Sequence, residues 1–486
     1  AAPRAHSLNS RHMLAVWLAI PHTSVVIPSA ALRPVLHRRA PRPLASHAEA
    51  DAADAAVDAA IEALAPAFAA IDSQTEAGLR RLLDVFRRHG VGAHHFAGVD
   101  GYGHGDLGRD ALDSIYAELF GAEAALVRVQ CFSGTHAIAC ALYGVLRPGQ
   151  ELLGVSGAPY DTLEEVIGLR GRTDDGLQGT LADLGVSYRQ VELAPGGRFD
   201  LAAIGKAVGN NTRMVHVQRS CGYAWRPSIS VAEIGRLATW LKAEHPGVVL
   251  FVDNCYGEFV EPREPCHVGA DLVAGSLIKN PGGTLAPSGG YVAGNADLVA
   301  AAQRRLSAPG VEGGATFGQN RALFQGLFHA PQVVGEALKG ALLIAETLSR
   351  LGYPCNPPRD QLQRTDIIQA VTLGERAKVL AFCEAVQRCS PVGANVKPVA
   401  GRTPGYGDEV VFADGTFIDG STLELSADGP LRAPYAVYMQ GGTHWTHWSI
   451  VLREACRAIG AAEGAAAAEG AAEGAAEDAA EGAAAG

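Results

Sequence analysis

Between residues 124 and 252, short apolar runs alternate with amphipathic stretches: 124–129, a helix from Thr135, 151–155, a helix from Thr162, 213–217, a helix from Val231, and 248–252. Apolar runs of about five residues are the length of buried strands, and the intervening stretches carry helical periodicity. A chain with this rhythm folds as strand–helix–strand units whose strands lie mostly parallel, covered by helices. Hydrophobic residues at 48% and charged residues at 19% supply the large core that such a sheet requires.

The flanks divide the rest. Residues 49–95 read as an N-terminal helical arm, with one helical stretch over 49–70 and a second over 75–88. Residues 96–330 form the large α/β unit. Residues 331–458 read as a smaller α+β domain, with helices over 333–351 and 373–389 and short strands at 367–371, 410–412, 417–418, 423–425 and 435–439. Residues 459–486, almost all Ala, Glu and Gly, read as a solvated low-complexity tail.

Residues 1–48 hold six Arg and five His and no acid, Glu49 being the first. This has the composition of a transit peptide, so an organellar location is expected, a plastid before a mitochondrion, with the cytoplasm as the alternative if the segment is no transit peptide. The full chain has a net charge of -11. Bulk electrostatics therefore give no attraction for nucleic acid or an anionic bilayer, and the expected partners are small molecules or protein chains. Nine scattered Cys without a Cys-x-x-Cys pair are not a disulfide framework, and the His444/His447 spacing does not suit two metal ligands one helical turn apart. No metal site is expected.

Gly103, Gly105 and Gly108 spell G-x-G-x-x-G. A dinucleotide fingerprint needs a buried strand before the first glycine and an acid ending the next strand, and neither is present. A better anion site lies at Ser133-Gly134-Thr135, where the strand 124–129 runs into a helix whose free N–H groups and two hydroxyls would suit a phosphate. Asp253 ends the apolar run 248–252, where a parallel sheet presents ligands; its buried charge needs a partner, and a protonated ring nitrogen would serve. Of six Lys, only Lys279 stands at a strand end before a turn, after the apolar stretch 271–278. A desolvated lysine there is expected to have a lowered pKa and to be able to form a Schiff base.

Taken in order, Gly134, Tyr160 in Ala158-Pro159-Tyr160-Asp161, Asp253 in Val252-Asp253-Asn254 and Lys279 in Ser276-Leu277-Ile278-Lys279 resemble the elements of fold-type I pyridoxal-phosphate enzymes of the Cys/Met-metabolism group. The chain is most similar to the methionine gamma-lyase-like proteins also called aluminium resistance proteins, through residues 101–110, 133–136, 159–168, 252–258, 276–283 and 415–442, a likeness covering about residues 60–458. The resemblance implies a pyridoxal 5'-phosphate-binding large domain in which Lys279 carries the cofactor, Asp253 meets the pyridine nitrogen and Tyr160 stacks on the ring. It implies phosphate contacts from Ser133, Gly134, Thr135 and Ser276, joined by Tyr102 and Arg109 of a neighbouring subunit in a homodimer or homotetramer. Arg432 is expected to bind the substrate carboxylate, a planar guanidinium giving a bidentate pair. The implied activity is β- or γ-elimination from methionine, cystathionine or cysteine. An aminotransferase, a γ-replacement synthase and a cofactor-binding stress protein with little turnover stay open.

Overall fold

The computed structural model describes residues 47–484, with side chains described for 52–464. The expected transit segment falls outside this range, save for its last two residues, which open the first helix. Helices α1 (His47–Arg88) and α2 (Leu107–Phe120) lead into a sheet of seven strands. These are β1 (Ala124–Arg128), β2 (Glu151–Gly154), β3 (Ser187–Gln190), β4 (Thr212–Gln218), β5 (Val249–Asp253), β6 (Leu272–Ser276) and β7 (Gly290–Gly294), in the order β1-β7-β6-β5-β4-β2-β3. Strands β2 to β6 pair in parallel, and β7 runs antiparallel to both β6 and β1.

Helices α3 (Gly134–Val145), α4 (Asp161–Ile167), α5 (Leu201–Ala207), α6 (Val231–Glu244) and α7 (Ala296–Leu306) alternate with these strands. Period-two alternation sends Leu250 and Val252 of β5 into one core, with Ile115 and Leu119 of α2 and Ile234 and Leu237 of α6. Val249 and Phe251 enter the opposite core, with Ile138 and Leu142 of α3 and Ala302 of α7. Both faces are therefore covered, which is why β5 reads as an unbroken apolar run.

The second sheet is antiparallel throughout: β8 (Cys355–Asn356), β9 (Gln369–Thr372), β10 (Val410–Ala413), β11 (Ser426–Pro430) and β12 (Ala436–Gln440), ordered β10-β11-β12-β9-β8. Helices α8 (Asn320–Arg350), α9 (Arg376–Arg388) and α10 (Trp445–Ala484) accompany it. Val57, Ala60 and Leu64 of α1 are buried in the same core as Leu342 and Leu348 of α8, Phe382 of α9 and Trp448 of α10. The arm is thus part of that core.

Several expectations are corrected. The two stretches in 49–88 form one helix that accommodates Pro66. Residues 417–418 and 423–425 are not strands, because the N–H groups of Phe417 and Ile418 donate to the Glu424 carboxylate at 2.7 and 3.0 Å and close a loop. The Ala/Glu/Gly tail continues α10, and its Glu463 pairs with Lys378 at 2.6 Å and accepts from the Tyr353 hydroxyl at 2.7 Å. Strands β3, β7, β8 and β11 and helices α5, α7 and α10 were not expected.

Candidate functional site

The site is built where β5, β6 and α3 meet. Ser133 caps α3, its hydroxyl accepting from the His136 N–H at 3.1 Å, so that oxygen is already engaged in holding the helix start. Gly134 follows because nothing larger fits: a Cβ there would lie 2.9 Å from the Ser276 Cβ at the end of β6. Ser276 is fully buried and its hydroxyl has no hydrogen-bond partner. An unpartnered buried hydroxyl beside the free N–H groups of a helix start makes an anion cradle of phosphate character. Tyr160, just before α4, donates from its hydroxyl to the Thr135 Oγ1 at 3.0 Å, which ties the phenol to the cradle.

Asp253 is buried at the end of β5, where its Oδ1 accepts from the Cys255 N–H at 3.1 Å. The next residue anchors the turn: Asn254 accepts from Arg219 at 2.8 Å and donates to Glu264 at 3.0 Å. Burial pushes the Asp253 carboxyl up, against the Cys255 N–H, Lys279 and Arg226, which favour its charge. A cation brought against it would complete the arrangement.

Lys279 follows β6, with its Nζ 4.0 Å from the centre of the Tyr256 ring. The expected lowering of its pKa is corrected. Burial acts in that direction, but Tyr256, Cys255 and Asp253 outweigh it and hold the amine above its ordinary value. Tyr256 sits in the left-handed region at φ 71°, a conformation that costs a bulky residue and so marks a constrained position. Asp253, Lys279 and Tyr160 act on one another electrostatically, so the structure brings these three together.

Arg432 forms an ion pair with Asp408 at 2.8 Å and is also influenced by Asp161 beside Tyr160, which puts it at the rim of the site. Tyr102 is exposed. Arg109 is buried and turned into its own loop, donating to the Gly103 carbonyl at 2.7 Å and to Asp110 at 2.8 and 2.9 Å. The loop itself is fastened by Asp106, which caps α2 and accepts from Thr316 and Asn320. Sequence reasoning missed Tyr256, which stands three residues after Asp253. It also missed a polar group contributed by the second sheet: Asp428 of β11 accepts from the Tyr223 hydroxyl at 2.9 Å and from the Gln440 amide at 3.3 Å.

These residues fit a ligand with three features: a phosphate at the start of α3, a protonated ring nitrogen at Asp253 and a carbonyl carbon open to the Lys279 amine. Pyridoxal 5'-phosphate has all three.

The family model for methionine gamma-lyase matches residues 53–460. A Clostridium novyi carbon-sulfur lyase involved in aluminium resistance is 40% identical, with 84% of this chain and 96% of that one covered at a TM-score of 0.80. A Listeria monocytogenes protein, designated a candidate cystathionine beta-lyase involved in aluminium resistance, is 44% identical over 83% of this chain and 99% of its own, also at 0.80. The Bacillus subtilis protein YnbB, uncharacterised, is 48% identical over 80% of this chain and 91% of its own. These relatives are bacterial, and they overturn the plastid or mitochondrial location expected from residues 1–48.

Proposed function

Since the chain belongs to the methionine gamma-lyase family, we propose that it is a pyridoxal-phosphate-dependent carbon–sulfur lyase acting on a sulfur amino acid such as methionine, cystathionine or cysteine. The observation that carries the reading is the convergence of Lys279, Asp253 and the unpartnered Ser276 hydroxyl at the carboxyl ends of β5 and β6. When bound, the cofactor supplies a cationic ring that withdraws electrons from the substrate Cα. Asp253 would hold the ring nitrogen protonated, since a buried carboxylate favours the charged form of a basic group beside it. Lys279 would take the Cα proton as a general base; that alone would let sulfur leave from Cβ, whereas loss from Cγ would need a second proton removed from Cβ. Arg432 receives the substrate carboxylate in place of Asp408.

Tyr102, exposed in this chain, is proposed to reach the phosphate of a second subunit, and the exposed Leu107, Phe132 and Phe317 offer apolar surface for that contact. Arg109 steadies the loop that presents Tyr102.

Purified protein loaded with the cofactor is expected to release a thiol and a 2-oxo acid from at least one of cystathionine, cysteine and methionine. Cofactor binding without release from any of the three would contradict the lyase reading in favour of group transfer.

A further inference from the structure

Asp428 is a buried carboxylate that the elimination chemistry does not use. It lies on β11, in the middle of the small sheet's β10-β11-β12 segment, and faces a group of aromatic rings rather than a counter-ion. Its two hydrogen bonds, from Tyr223 and Gln440, both fall on Oδ2, and both donors are neutral. The Tyr223 ring in turn lies tilted against those of Tyr406 at 5.9 Å and Tyr438 at 5.2 Å, and the Tyr438 hydroxyl donates to the Tyr223 carbonyl at 2.7 Å. The residue before Tyr223 is Gly222, where a Cβ would stand 3.5 Å from the Tyr160 Cβ, so this aromatic group adjoins the ring-stacking tyrosine.

Tyr223, which holds this carboxylate, packs in one cluster with Tyr256, over whose ring the Lys279 Nζ stands at 4.0 Å, so Asp428 is linked to the lysine through two tyrosines. Asp428 acts electrostatically on Tyr256 and Tyr406, and the main cationic influence on Asp428 is Lys279 itself. Among the described residues no Lys, Arg or His lies within ion-pair distance of it. Lys279 is committed to the cofactor in the loaded enzyme, which leaves a buried acid without a cation. Burial pushes this carboxyl up to about 7, so without a cation it tends to take up a proton, and a ligand ammonium would hold it ionised. Aromatic rings around it add to the attraction for a cation.

Resting on the lyase reading, we propose that Asp428 binds a second ammonium group on the far side of the substrate's sulfur, so that the preferred substrates are thioethers carrying an amino group on the leaving arm. Such a substrate enters with its α-amino end at Lys279 and its distal ammonium at Asp428, between Tyr223 and Tyr406. Substrates with a short or apolar leaving arm, such as cysteine and methionine, leave the carboxylate unmet.

The test compares leaving arms on the wild-type holoenzyme. L-cystathionine and its analogue without the distal amino group, S-(3-carboxypropyl)-L-cysteine, differ only at the proposed contact. The expected result is a kcat/KM for cystathionine higher by about 30-fold or more, the size of a lost charge-assisted hydrogen bond. In Asp428→Asn, which keeps an oxygen for Tyr223, the ratio between the two substrates is expected to collapse towards one. Equal turnover of both by the wild type, or a ratio unchanged in Asp428→Asn, would overturn the assignment of Asp428 and leave the lyase reading standing. Holoenzyme that eliminates thiol from no sulfur amino acid would overturn both.

Discussion

Glu258 shows how tightly the residues behind the lysine are buried. Its Oε1 accepts from the Tyr291 hydroxyl at 2.8 Å, its Oε2 has no partner, and burial pushes the carboxyl up to about 8. A folded-state pKa above the unfolded value means that the folded protein keeps a proton the unfolded chain has already lost. The stability this provides is complete below the ordinary carboxylate range and is lost as pH rises through about 8. Glu258→Gln keeps the shape and the hydrogen bond but does not titrate. Its Tm is expected to fall less than that of the wild type between about pH 5 and about pH 9; parallel Tm curves would contradict the account. At this scale the sequence revealed Asp253, which ends β5, and Lys279, which follows β6, because apolar runs point to them. It did not reveal Asp428, Tyr223 or Tyr256, since their roles depend on two sheets being brought together by residues far apart in the chain.

At the scale of elements, the approach of α3 to β6 is the feature on which the proposed phosphate binding depends. The Gly134–Ser276 contact is too close for any side chain on the helix, and it leaves the Ser276 hydroxyl buried without a partner. Ser276→Ala removes that unmet group. Without cofactor the variant is expected to be as stable as the wild type or more so, by about 1 kcal/mol, because an unsatisfied hydroxyl costs stability. Its affinity for pyridoxal 5'-phosphate is expected to fall about tenfold or more. A lower Tm with unchanged affinity, by calorimetry and titration, would show that the hydroxyl serves packing alone. Element recognition from sequence followed burial: β5 and β6, covered on both faces, are unbroken apolar runs, whereas β3 is an edge strand with mostly exposed side chains and β7 is bounded by Gly290 and Gly294. Phe417 and Ile418 resembled a strand because they are apolar, but the Glu424 carboxylate claims their N–H groups before any neighbouring strand can.

Over the whole molecule, a long α1 and a long α10 pack with α8 around the second sheet, and Arg453 and Arg457 of α10 pair with Asp54 of α1. These contacts join the two ends of the described chain, so the arm and the start of the Ala/Glu/Gly segment belong to the scaffold behind the site. The large sheet presents the lysine and its acid, while the small sheet carries Asp428 on β11, with Arg432 just after that strand paired to Asp408. Lys279 is the residue proposed to carry pyridoxal 5'-phosphate. Borohydride reduction of the loaded protein fixes the cofactor covalently to whichever amine holds it, and peptide mass mapping then identifies that residue. One cofactor mass per chain is expected on the peptide containing Lys279, and none in Lys279→Ala; a reduced adduct on any other lysine, or no adduct at all, would contradict that role for Lys279.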